Sequence, residues 1–369
     1  MLFIIFIYFF FIVWILTGIS KIKINSNHNK SNNYNISVVI AVRNEEKNID
    51  KLLDCLIVQE YNIEKYEIII ANDQSKDNTL NILKKYSEKI KNLKIVNITS
   101  TPGKWDSKIW ALNEAIKYAK GEIILQTDGD CLPNRKWLQN VSQEFNNKSV
   151  GVVFSYTPLR GNGLLGKIIE QESLAQDAFS GMSLTKNLIF SCNGRSMGYR
   201  KKYFLDVNGF DKINFIKGGD DDLLFHKIIY YKKCIAKYLV NNESMVYSSA
   251  PRTLKELIFQ RIRYASKGIQ FYRLKFVSIE LKILMPFLYI TNLLTCISII
   301  KFCWDPNILL VTFILIKIIS DWIFINIFAN IIKYKIDYIV LIMLSILHPF
   351  YIIILSSISP FMKISWKDS

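Results

Sequence analysis

No two of the six cysteines (Cys55, Cys131, Cys192, Cys234, Cys296 and Cys303) stand at C-x-x-C spacing. That disfavours a thiolate zinc site and leaves reduced, cytosolic thiols as the default. Histidine is scarcer still, with three residues too scattered to build a metal centre. No groove-reading motif accompanies the formal net charge of +16, and the basic residues are spread rather than clustered. Nucleic acid is therefore not the expected partner, and a membrane surface with anionic ligands explains the charge better. The first apolar run also lacks a preceding basic residue and a following A-x-A-like site. Residues 1–20 are accordingly expected to be a retained transmembrane anchor, not a cleaved signal.

Apolar sequence is what the chain has in quantity: half of its 369 residues are hydrophobic. The opening run is close to the roughly 20 residues that cross a bilayer. Lys21, Lys23 and Lys30 follow it, which by the positive-inside bias places the downstream domain in the cytoplasm. Three further runs, Leu284–Ile300, Ile308–Ile332 and Tyr338–Ser359, predict about three transmembrane helices within 281–360, with a short tail at 361–369. The side on which that tail lies depends on whether all three cross. Within the third span, Lys317 and Asp321 stand four residues apart, as an intrahelical ion pair would, with contact to a lipid diphosphate as the other reading. His348 before Pro349 reads as a packed residue at a kink.

Between anchor and spans, residues 21–35 read as a polar linker and 36–250 as the soluble domain. There ISVVIAV, YEIIIAN, LKIVNI and GEIILQT alternate with helical patterns such as NIDKLLDCLIVQ and KIWALNEAIKYAK. Continuous apolar strands alternating with amphipathic helices predict an α/β fold with a mostly parallel sheet covered on both faces. Ligands on such sheets bind at the carboxyl ends of the strands, so the polar clusters there carry the functional expectation. VRNEEKNI follows the first strand, NDQSKDNT the second, and either could be only a turn with a helix cap. As ligand sites they offer Glu45 and Asp73, whose carboxylates could accept hydrogen bonds from a nucleobase or ribose, and Arg43 as a further donor-binding residue. Lys108 opens the helix of KWDSKIWALNEAI, where an anion would meet the helix dipole. The fourth strand delivers Asp128-Gly129-Asp130, a turn in which two carboxylates could share one hard cation, with Gly129 allowing a sharp bend.

VVIAVRNEEKNI, NDQSKDNT, SKIWALNEAI and TDGDCLP follow one another in the order and rough spacing of family 2 glycosyltransferases with the GT-A fold, which this chain resembles. SCNGRSMGYRKKYFLDVNGFD (191–211) is similar to the family's glycine and asparagine loop with its G-G-F turn, here Asn208-Gly209-Phe210. KGGDDDLLFHKI (217–228) resembles the acidic motif that carries the base, and QRIRYASKG (260–268) the Q-x-x-R-W motif of the membrane-embedded branch. The resemblance runs from about Ser37 to Gly268. Two departures stand out: the usual aspartate pair after the second strand is Asn72-Asp73, and the motif tryptophan is Tyr264.

The resemblance implies a Rossmann-like nucleotide-sugar-binding domain flanked by transmembrane helices. It further implies inverting transfer of a sugar from a nucleotide donor to a lipid or lipid-linked saccharide acceptor at the cytoplasmic face. UDP is the default nucleotide and GDP the alternative. Mg²⁺ or Mn²⁺ would be the cofactor, with Asp130 as direct ligand and Asp128 on the ribose or the metal. Asp221, with Asp220 next, would be the base, its proton affinity raised by the repulsion of three adjacent carboxylates. Arg263 would reach the diphosphate while Gln260 and Tyr264 border the acceptor. By composition, the same stretch (251–280) reads as an amphipathic interfacial helix on anionic lipid. Two other readings compete. A processive polysaccharide synthase would need a pore that about three C-terminal helices hardly provide; product length tests it. An inactive membrane scaffold of transferase fold would hydrolyse no donor and tolerate Asp130→Ala or Asp221→Asn.

Overall fold

The computed structural model describes residues 1–22 and 34–362, so most of the linker expected at 21–35, with Lys23 and Lys30, and nearly all of the 361–369 tail fall outside the described residues. The chain sorts into two units. Among the described residues, one comprises 34–159 and 191–249, the other 1–22, 160–190 and 250–362. The first unit is thus interrupted by residues 160–190, a division that the span expected at 36–250 did not contain.

The elements, in chain order, begin with α1 (Leu2–Leu16), β1 (Ile36–Val42), α2 (Ile49–Ile57), β2 (Tyr66–Asp73), α3 (Thr79–Lys89), β3 (Leu93–Ile98), α4 (Ser107–Tyr118) and β4 (Ile123–Gln126). There follow β5 (Cys131–Pro133), α5 (Trp137–Glu144), β6 (Val150–Ser155), β7 (Leu159–Arg160), α6 (Gly163–Leu184), β8 (Met197–Arg200), α7 (Lys201–Asp206) and α8 (Asp222–Lys232). The chain continues through β9 (Ile235–Leu239), β10 (Val246–Ser249), α9 (Leu254–Ser266) and α10 (Gly268–Arg273), and then α11 (Ile279–Phe302), α12 (Ile308–Ile331) and α13 (Tyr338–Ile358).

Seven strands form one sheet in the order β3-β2-β1-β4-β8-β6-β9. Every residue of β1 is buried, which is why ISVVIAV is apolar nearly throughout instead of alternating. β1 runs parallel to β2, from Ile36 opposite Tyr66 to Val42 opposite Asn72, and parallel to β4 on its other side. β8 is the exception, antiparallel to both β4 and β6. Gly198 makes that insertion possible, because a Cβ there would come within 2.5 Å of Leu125 Cδ2. Trp137, Leu138, Val141 and Phe145 of α5 and its C-cap are buried in the core with β1 and β4, at roughly 1.5–3 kcal/mol for each large side chain. A smaller sheet, β5-β10-β7, sets Cys131 opposite Ser248.

In the helical unit, four helices are long and apolar enough to cross a membrane: Leu2–Lys21, Ile279–Phe302, Ile308–Ile331 and Tyr338–Phe361. Large apolar side chains on them, among them Phe3, Phe10, Ile308 and Ile339, remain exposed. A bilayer removes that surface from water. Polar groups face inward instead. Lys317 and Asp321 form the pair expected from their spacing, 2.5 Å apart, and the Tyr8 hydroxyl of α1 donates to the same carboxylate at 2.6 Å.

α6 had no counterpart among the expected elements. Its buried residues include Gln171, Glu172, Ser173, Asp177 and Ser183 beside Ile169, Leu174, Ala178 and Met182, so no apolar stripe marks it. Glu172 is almost fully buried and pairs with Arg261 of α9 at 2.8 Å. Gln176 and the Tyr351 hydroxyl of α13 donate to the other oxygen of Glu172.

Candidate active site

The loops after β1 and β2 are zipped together by side chain to backbone bonds. The amides of Glu46 and Asn78 donate to Asp77 and Glu46, both at 3.0 Å, and the Glu45 amide donates to the Thr79 hydroxyl at 2.8 Å. Burial acts to raise the Asp77 carboxyl, but donation from the Thr79 hydroxyl and the Glu46 amide outweighs it and lowers the pKa. Asp73 is fully buried: Arg43 meets its carboxylate at 2.8 Å and its carbonyl at 2.9 Å, while Gln74 donates to the carboxylate at 2.9 Å. The carboxylate expected to receive a nucleobase is therefore already held by Arg43 of the neighbouring loop and Gln74 of its own. Glu45, also buried, accepts from Asn48 at 2.9 Å and lines a surface depression with Asn44, Lys76 and Asp77.

Gly129 lies against Glu45, where a Cβ would come 2.9 Å from Glu45 Cγ. It is not among the described glycines of positive φ. The chain does turn here, the Cys131 amide donating to the Asp128 carbonyl at 3.2 Å, but the close approach to Glu45 is what requires glycine at this position.

Lys108 is the hub of the site. Asp106 caps α4 by accepting from the Ile109 amide at 3.2 Å, which sets Lys108 in the first turn. The Lys108 ammonium lies 2.8 Å from Asp128 Oδ1 and 2.8 Å from Asp220 Oδ2. Burial opposes its charge, but Asp128 and Asp220 together outweigh burial and hold the ammonium well above its ordinary pKa. Asp106, by contrast, is raised by burial and further by the charge of Asp220, against the hydrogen bond from Ile109 and the charge of Lys108.

Asp221 is the N-cap of α8. It accepts from the Asp222 amide at 2.6 Å and from the Gly194 amide at 3.1 Å. Two backbone amides directed at the carboxylate fix its orientation. Of the three adjacent carboxylates, Asp220 lies on the Lys108 ammonium and Asp221 on backbone donors.

Ligating atoms of Asp128, Asp130 and Cys131 lie within 4.8 Å of one another. Two carboxylates suit a hard cation such as Mg²⁺ or Mn²⁺. The Cys131 thiol is pushed well up by burial and by the neighbouring Asp130 and Asp128 charges, and because hard cations prefer oxygen to sulfur the two carboxylates are the set that fits. The Ser248 hydroxyl, placed by β10, donates to Asp130 Oδ2 at 3.3 Å.

The structure therefore brings Lys108, Asp128, Asp130, Asp220 and Asp221 together, with Glu45 alongside and Arg43 and Asp73 in the flanking loops. Gln260, Arg263 and Tyr264 belong to α9 of the helical unit, where the Arg261 and Arg263 guanidinium groups lie 5.7 and 5.6 Å from the centroid of the Tyr264 ring. The loop that holds Gly194 was singled out by its resemblance but not the role of its amide, and Ser248 was not anticipated. Gly194 contributes only a backbone amide, which leaves no side-chain signature, and Ser248 sits on a four-residue strand too short to show a pattern.

Residues 37–207 match the family described as glycosyl transferase family 2. "Glycosyltransferase AglE" of Haloferax volcanii is 31% identical over 118 residues, covering 32% of this chain and 38% of that protein. A Methanococcus voltae protein described as a dolichyl N-acetyl-alpha-D-glucosaminyl phosphate 3-beta-D-2,3-diacetamido-2,3-dideoxy-beta-D-glucuronosyltransferase is 28% identical over 246 residues, covering 63% of this chain and 73% of that one. The matched stretch thus spans well under two thirds of the first relative. In fold, the chain is similar to the mannosyltransferase PcManGT from Pyrobaculum calidifontis, solved with GDP-Man and Mn²⁺, at a TM-score of 0.63 and 17% identity over 97% of this chain and 94% of that one. Residues 37–207, with their mixed sheet and the carboxylates at its strand ends, thus match glycosyl transferase family 2 and share the fold of a GT-A glycosyltransferase.

Proposed function

We propose that this protein transfers a sugar from a nucleotide donor to a lipid or lipid-linked saccharide at the cytoplasmic face of a membrane, with inversion at the anomeric carbon. The observation that carries the reading is the Lys108 bridge between Asp128 and Asp220, which sets donor-side and acceptor-side carboxylates in one site. Asp130 and Asp128 would hold Mg²⁺ or Mn²⁺, which when bound supplies positive charge to the departing diphosphate. The acceptor hydroxyl oxygen bonds to the anomeric carbon as the bond from that carbon to the diphosphate oxygen breaks. Asp221 takes the hydroxyl proton, and the amides of Gly194 and Asp222 keep its carboxylate oriented until then. Asp220 is the second candidate for that role.

Arg43, Glu45 and Asp73 would form the frame for the nucleoside, with Asp73 held rigid by Arg43. The assignment of Gln260, Arg263 and Tyr264 to diphosphate and acceptor rests on their motif alone. The four apolar helices and the dolichyl phosphate in the Methanococcus relative's description support a lipid-borne acceptor. UDP remains the first donor to test and GDP, the nucleotide bound by the fold neighbour, the second.

The test is incubation of membranes holding the protein with radiolabelled UDP- and GDP-sugars, with and without Mn²⁺, followed by lipid extraction. Metal-dependent label in the organic phase is expected. No turnover with any donor would sink the transferase, and label confined to water would sink the lipid acceptor.

A further inference from the structure

A cation in the first turn of a helix is opposed by the helix dipole. Lys108 occupies such a position and is largely buried as well, yet its ammonium is held at equal distances of 2.8 Å by Asp128 and Asp220. Asp128 is also one of the three residues whose ligating atoms converge as a metal site requires. The Asp128 carboxylate therefore faces two claimants, an ammonium that is part of the chain and a divalent cation that is not.

We propose that Lys108 holds the cation's place on Asp128 until a donor diphosphate arrives, so that metal and nucleotide enter together as one chelate rather than metal first. This deepens the reading of the site as a nucleotide-sugar transferase and rests on it. A bare divalent ion placed on Asp128 and Asp130 would sit beside a buried ammonium, and the repulsion between them weakens its binding. A diphosphate changes that balance, because its oxygens give Lys108 a new partner and release Asp128. Each ligand then strengthens the other by the same factor. Asp220 gives the exchange its direction: as the lysine's second carboxylate it keeps Lys108 from bearing on Asp128 alone.

The sign pattern of two substitutions tests this without any transfer reaction. Free Mn²⁺ is titrated into the purified full-length protein in detergent, and unbound Mn²⁺ is read by its electron paramagnetic resonance signal. Lys108→Gln removes the competitor, so Mn²⁺ alone should bind at least about tenfold more tightly than to the unaltered protein, a ratio worth ~1.4 kcal/mol. Asp220→Asn leaves Asp128 as the sole partner of Lys108, so Mn²⁺ alone should bind severalfold more weakly. Lys108→Arg, which keeps the charge, should stay near the unaltered value. Equal or weaker binding in Lys108→Gln, or tighter binding in Asp220→Asn, overturns the proposal. Should Lys108→Gln fail to fold, the direction seen in Asp220→Asn decides alone. Absence of transfer with every donor while the Mn²⁺ pattern holds would sink the transferase reading only. Transfer accompanied by unchanged Mn²⁺ affinities would sink the competition only.

Discussion

The two units each carry a tight cluster of opposite charges, and they use it differently. In the sheet unit Lys108 joins Asp128 and Asp220, and Asp128 keeps about a third of its side chain exposed. In the helical unit Glu172 and Arg261 are 3% and 7% exposed, and Gln176 and Tyr351 complete the shell. The first cluster borders solvent and can exchange partners with an incoming ligand. The second has no water to fall back on, so each group depends on the others. Similar ion-pair distances thus serve exchange at strand ends and fixation between helices.

The comparison breaks most sharply at Asp130. Asp130→Ala should lower sugar transfer by on the order of 10²–10³-fold, since charge stabilisation of the departing group is lost, while the melting temperature changes little. Labelled transfer beside a thermal scan checks both halves. In the helical unit the expectation is reversed, with stability lost first. Arg261→Met leaves Glu172 buried without its ion partner and should cost ~3–5 kcal/mol. Adding Glu172→Leu should recover most of that, because a matched apolar pair can replace a buried ion pair. Denaturation in detergent measures it, and a double variant no more stable than the single would show that the cluster is not an isolated pair.

The smallest effect concerns Asp77. Its folded carboxyl titrates below its ordinary value of 3.8, so the unfolded chain binds more protons near that pH. Its contribution is therefore present above the ordinary value and is lost as pH falls through the lowered one. Asp77→Asn should flatten the acid limb of the stability curve slightly, and coincident acid limbs would refute the assignment.

Much of this was legible in the sequence where one physical demand dominates. β1 and β2 are buried along nearly their whole length, and only unbroken apolar, β-branched residues meet that demand. The placement of Asp128 and Asp130 after β4 follows from the same alternation of strands and helices. α6 was hidden because its buried face is polar, satisfied by partners on helices far along the chain. The antiparallel β8 was hidden because direction is set by pairing across β4 and β6, which four residues do not encode. The engagement of Asp73 by Arg43 was invisible for a related reason: a carboxylate's type is written in the sequence, but the group that reaches it first is not.

The wiring of Glu172 also has a consequence during synthesis. Its partner Arg261 lies 89 residues downstream, and Tyr351 lies 179 residues downstream. At a translation rate of ~5–20 residues per second, the acid of α6 waits on the order of 10–40 s for its last partner to be made. The shell of Glu172 therefore closes in steps, Arg261 of α9 first and Tyr351 of α13 last, around a charge laid down long before either.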